Sequence, residues 1–150
     1  MRGATWGEFD LDAGIWTIPG SRMIAKEPHR VPLPLSALAF VKRLKKAGHH
    51  ETMVFPSPRR KVLADMTLTA LLRRVKAVSD TPGRVATLHG FRSSFRDWAS
   101  EHGYARDVAE RALAHTVANK VEAVYHRTDL LEQRRPMMEA WAAHVCGMAG

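Results

Sequence analysis

Two histidines, an arginine and a tyrosine between residues 87 and 135 carry groups able to bind a phosphodiester and attack it: His89, Arg92, His115 and Tyr125. His89 and Arg92 are three apart, so on a helix they share a face. Near a helix start, free backbone N–H groups and the dipole favour an anion. The arginine fork donates two parallel hydrogen bonds to a phosphate, and a histidine beside it can donate to the phosphate or move a proton. His115 follows Arg92 by 23 residues and Tyr125 follows His115 by ten. A tyrosine hydroxyl titrates near pH ~10 and is a weak nucleophile until its proton is removed or shared; neighbouring histidines and phosphate-bound cations can give that help. Plainer readings stand beside these. Arg92 pairs with Asp97 or Glu101 while His89 sits at the surface, His115 is a satisfied half-buried histidine, and Tyr125 packs with Val121 and Val124.

The elements that position these groups follow from periodicity. IWTI and HRVPL, separated by Pro19-Gly20-Ser21, predict a β-hairpin over 15–34, with Pro32 placing the second strand at an edge or ending it early. Asp10, Asp12 and Gly14 read as a turn. Leu35, Leu38, Val41 and Leu44 predict a helix over 35–47 that Gly48 stops. Thr52–Phe55 reads as a third strand, followed by the basic loop Arg59, Arg60, Lys61. A helix over 66–78 carries Leu68, Leu71, Leu72 and Val75 on one face, leaving Arg73, Arg74 and Lys76 off it. Thr87 caps a helix over 88–101 whose buried stripe is Phe91, Phe95, Trp98 and Ala99. Shorter helices are expected over 105–113 and 118–126. Thr128 or Asp129 caps a last one reaching about Val145, which Pro136 kinks or breaks. The fold class is α+β, mainly α, with a small three-stranded antiparallel sheet near the N-terminus.

Composition narrows the partner. The 150 residues carry a formal charge of +8 and a pI near 10.3, which points to a polyanion, most simply nucleic acid. No apolar run is long enough to cross a membrane, and the N-terminal MRGATWGEFD has no apolar secretory core. The single cysteine, Cys146, excludes an internal disulfide and fits a reducing compartment, so a cytoplasmic location is expected. His49 and His50 have no cysteine or carboxylate at metal-ligand spacing, so no metal and no other cofactor is expected.

Taken in order, the boxes HGFRSSFRDWA, ALAHT and VYHRTDLLEQRRPMMEAWA, with WGEFDLDAGIWTIPGSRM and HRVPLPLSAL ahead of them, resemble the tyrosine site-specific recombinases, the phage-type integrases, over essentially the whole chain. The resemblance implies a catalytic domain in which Tyr125 attacks a DNA phosphate and forms a 3′-phosphotyrosyl link without metal or high-energy cofactor. It implies that Arg92 stabilises charge on the non-bridging oxygens, His89 assists proton transfer, His115 hydrogen-bonds the phosphate, and a hairpin lysine protonates the leaving 5′-oxygen. Similar integrases place that lysine where this chain has Ile24, so Lys26, two residues on and on the same face of a strand, is the candidate. Arg22, Arg59, Arg60, Lys61, Arg73 and Arg74 are candidate DNA contacts.

Double-stranded DNA is the expected partner, with self-association on it through the C-terminal helix, and the resemblance narrows the cytoplasmic location to bacterial and nucleoid-associated. The family's first catalytic arginine, in an Arg-x-x-Glu box, falls ahead of the segment matching Arg2–Trp6. The expectation is therefore one catalytic domain over 1–150, lacking its first segment and the upstream DNA-clamping domain and impaired in cleavage. A non-catalytic DNA-binding or interaction module of the same fold is the alternative. A metal-dependent nuclease would need a carboxylate cluster that the sequence does not offer.

Overall fold

The computed structural model describes residues 2–79, 81–114 and 128–147. Its sheet has three antiparallel strands in the order β1 (Phe9–Asp10), β2 (Ile15–Ile18) and β3 (His29–Pro32). The turn between β1 and β2 is made by Asp10, whose Oδ1 accepts the N–H groups of Asp12 at 3.1 Å and Ala13 at 2.8 Å, and by Gly14 at φ +65°. Phe9 pairs with Trp16 in the ladder and the two rings stack 5.3 Å apart. β3 is an edge strand and Pro32, which has no N–H to donate, is its last residue.

The third strand is not the one the sequence predicts. Thr52–Phe55 contributes only the single bridge from Thr5 to Met53. The cause is local: His50 Nδ1 accepts the N–H groups of Thr52 at 3.1 Å and Met53 at 3.0 Å, diverting donors that a ladder needs.

Five helices are described: α1 (Leu35–Ala47), α2 (Thr67–Arg74), α3 (Leu88–Glu101), α4 (Arg106–Ala112) and α5 (Leu131–Val145). Gly48, at φ +63°, ends α1 as expected. The other end of α1 follows Pro34, which has no capping side chain; Glu139 of α5 instead accepts the Leu35 N–H at 2.8 Å. α2 stops four residues short of the expected 78, because Lys76 turns left-handed (φ +50°) and the chain folds back so that Val78 bridges Val85. Val75, expected on a buried face, is consequently exposed.

The core is built from the second half of α3 with α4 and α5. Phe95, Trp98, Ala99, Val108, Ala109 and Met137 are buried together, with Leu113, Met138 and Trp141 packed on them. Trp141 meets Phe95 edge-on at 5.4 Å and Trp98 at 5.2 Å. Phe91 lies one turn before this cluster and is 52% exposed, so the expected buried stripe begins at Phe95. α5 runs through Pro136 unbroken; the ring has no N–H to give the Glu132 carbonyl. The helix expected over 118–126 lies outside the described residues.

Candidate functional site

Thr87 begins α3 as the sequence predicts: its hydroxyl accepts the Gly90 N–H at 3.0 Å. His89 and Arg92 are the second and fifth residues of the helix, and both are exposed. Arg92 does not turn back along α3 towards Asp97 or Glu101. Its Nη2 donates to the Leu113 carbonyl, 2.6 Å away at the C-terminal end of α4. Carbonyls left over at a helix end accept a cation readily. Leu113 opens the tripeptide Leu113-Ala114-His115, so the His-x-x-Arg pair is tied to the chain entering the second histidine box. His115 and Tyr125 themselves lie outside the described residues.

A charged hub surrounds this junction. His29 of β3 is half-buried and lies beside the Ala112 backbone, one residue before Leu113. Burial, then the positive charges of Arg134 and Arg92, hold its imidazole below the usual histidine range; the Ala112 contact and Asp129 oppose them. Arg30, the next residue in β3, grips Asp129 with both arms of its fork: Nε to Oδ2 at 2.7 Å and Nη2 to Oδ1 at 2.9 Å. That grip, with Arg134 assisting, holds the Asp129 carboxyl below its ordinary range against the opposing effect of burial. Asp129 Oδ1 also accepts the Leu131 N–H at 3.3 Å, although the N-cap of α5 is Leu130, at φ +53°, and neither Thr128 nor Asp129 as the sequence predicts. Arg134 is 1% exposed and sits 3.5 Å from Asp129; its Nε and Nη2 have no hydrogen-bond partner among the described residues.

The remaining candidates are dispersed. Lys26 is exposed in the turn between β2 and β3, at φ +58°. Residues 24 and 26 are therefore not related by strand alternation as expected, and Ile24 is 99% exposed. The turn is folded tightly onto Gly20: a Cβ there would lie 2.4 Å from the Lys26 carbonyl oxygen. Arg22 is engaged, its guanidinium paired with Glu8, whose carboxylate also accepts the Trp16 indole N–H at 3.0 Å and the Thr5 hydroxyl at 3.1 Å. Arg59, Arg60 and Lys61 form an exposed turn in which the Ser57 carbonyl accepts the Arg60 N–H at 2.8 Å. Arg73 and Arg74 are exposed at the end of α2. No group of three potential metal ligands occurs among the described residues, and His50 is occupied in its own loop. No helix among the described residues is long and apolar enough to cross a membrane.

Sequence reasoning missed Asp129 as a hub and Arg134 as a buried charge. A signal for Arg134 was present: it lies three residues after Leu131 and seven before Trp141, on the apolar stripe of α5 rather than off it.

The comparisons with known proteins agree with one another. Residues 1–131 match the model of the phage integrase family. Prophage integrase IntA of Escherichia coli K12 is 39% identical over 141 residues, covering 93% of this chain and 33% of that protein. The integrase of enterobacteria phage P4 is 34% identical over 161 residues, covering 97% of this chain and 36% of its own length. The putative protein IntB of E. coli K12 is 34% identical over 160 residues, 95% of this chain and 39% of that protein. The chain thus spans roughly a third of the length of the curated relatives it matches. No solved structure matches it.

Proposed function

This chain belongs to the phage integrase family, and on that footing we propose that it supplies the catalytic residues of a site-specific DNA recombinase. The Tyr125 oxygen attacks the scissile phosphate of double-stranded DNA. A phosphorus–oxygen bond forms to tyrosine, the bond to the 5′-oxygen breaks, and the product is a 3′-phosphotyrosyl link plus a 5′-hydroxyl. Attack by a partner strand's 5′-hydroxyl reverses the step, so no energy source is consumed. Arg92 and His115 hold the non-bridging oxygens, His89 helps carry the tyrosine proton away, and Lys26 protonates the leaving oxygen. Arg59, Arg60, Lys61, Arg73 and Arg74 contact the DNA backbone, with Arg22 beside them. The recombinase self-associates on paired DNA sites through its C-terminal helix.

The observation that supports this reading best is the bond from Arg92 to the Leu113 carbonyl. It draws the start of α3 and the approach to His115 to one place, as phosphate binding by both boxes requires. Lys26 receives weaker support, since it is exposed in its turn and no described contact holds its side chain near Arg92.

The test is a nicked suicide duplex carrying the element's attachment site, resolved on a denaturing gel. The wild-type chain is expected to leave a faint covalent protein–DNA band, in keeping with the impaired cleavage expected from its sequence, and Tyr125→Phe to lose it while shifting the duplex at unchanged affinity. Binding without any wild-type adduct supports the non-catalytic DNA-binding alternative instead. Light scattering of the same complexes with one or two sites per duplex reads out self-association.

A further inference from the structure

The strongest unassigned feature is the ion cluster joining β3 to α5. Arg30 and Asp129 are 99 residues apart in sequence yet make a two-pronged contact at 2.7 and 2.9 Å. Asp129 lies four residues after Tyr125 and is the last residue before the N-cap of α5. A tether of four residues reaches at most about 14 Å, so whatever fixes Asp129 limits where the tyrosine can go. Asp129 is held from three directions: Arg30 of the sheet, the Leu131 N–H that it accepts, and the buried Arg134 at 3.5 Å. The same strand also comes near the other half of the site, since His29 lies beside the Ala112 backbone, one residue before the carbonyl that holds Arg92.

We propose that Arg30, Asp129 and Arg134 form a clamp that sets the position of the Tyr125-bearing segment against the Arg92 phosphate site. Arg30 and Arg134 are positioning residues: they act through Asp129 and touch no reacting atom. Arg134 suits the role because it is buried. Its guanidinium is enclosed, burial draws its proton affinity down, and Asp129 is the carboxylate that sustains its charge. Arg30 is the adjustable arm, partly exposed and bidentate. Releasing it frees the carboxylate on one side while leaving the buried pair intact, so the fold survives a change at Arg30 better than one at Asp129 or Arg134.

The clamp as a source of catalytic positioning rests on the recombinase reading; the clamp as a mechanical tie does not, and the experiment separates the two. The whole 150-residue chain is compared with Arg30→Gln, Arg30→Lys and Asp129→Asn. Hydrogen–deuterium exchange is followed by peptide, and adduct formation and affinity are measured on the nicked attachment-site duplex. Exchange over 115–128 is expected to quicken at least fivefold in Arg30→Gln, with α3 and β2 unchanged. Adduct formation is expected to slow about tenfold while DNA affinity stays within twofold. Arg30→Lys, which keeps the charge and loses the fork, should fall between wild type and Arg30→Gln in both measurements. Asp129→Asn should match or exceed Arg30→Gln over 115–128. Unchanged exchange over 115–128, or acceleration spread evenly through the chain, overturns the clamp. A local acceleration with no change in adduct rate overturns its positioning role. If no adduct forms with wild type, the recombinase reading has failed and the exchange measurement still decides whether the tie exists.

Discussion

Asp129 is the residue on which most of the local chemistry depends. It answers one exposed arginine, one buried arginine and one helix N-terminus at once. His29 stands against the same group and is held neutral chiefly by burial, with Arg134 and Arg92 adding their repulsion. The unfolded chain therefore takes up a proton at His29, near the ordinary value of 6.5, before the folded chain does. The stability this gives is present above pH 6.5 and is lost as pH falls towards the lowered native value. Melting temperatures measured from pH 8 to 5 should fall through that window. His29→Gln, which keeps an N–H for Ala112, should show a flatter profile there; parallel profiles would mean that His29 is not responsible. At this scale the sequence was only half legible. The His-x-x-Arg pair announced itself by spacing. Asp129 did not, because a pair closed across 99 residues of chain by Arg30 leaves no periodic trace.

Among the elements, those whose ends are set by their own residues matched the sequence closely. α1 ran to its glycine stop, α3 began at its threonine cap, and β2 was the IWTI run. Those settled by a neighbour did not. The third strand went to Phe9–Asp10 because Trp16 offered Phe9 a stacking partner while His50 took the donors of Thr52 and Met53. α2 lost its last turn to a backbone reversal at Lys76 that no single residue type advertises. α3 carries the site, so its start is the element to probe. Thr87→Ala removes the cap on Gly90 and should cost about 1 kcal/mol in urea unfolding. The effect on adduct formation should exceed that on DNA affinity, since the fraying end holds His89 and Arg92. A variant with full stability and full cleavage would show that the cap does not support the site.

Among the described residues the candidate DNA-contacting cations lie on separate segments of the chain, and they differ in how free they are. Arg59, Arg60, Arg73 and Arg74 are exposed, whereas Arg22 is already paired with Glu8. Log affinity for duplex DNA against log salt should have a slope that drops by about one for each phosphate-contacting cation removed. Arg59→Ser with Arg60→Ser, and separately Arg73→Ser with Arg74→Ser, should each reduce the slope by about two. Arg22→Gln should change it by much less, and an equal effect from all three would show that Glu8 does not hold Arg22 back. The long-range bonds also have a consequence for how the protein is made. The first N–H of α1 is capped by Glu139, 104 residues further along. A ribosome adding about 5–20 residues per second needs roughly 5–20 seconds to reach the capping residue after it has made Leu35. Throughout that interval the nascent α1 waits with its leading end open, and β3 waits for Asp129. The amino-terminal half of this protein therefore cannot finish folding in the order in which it is synthesised.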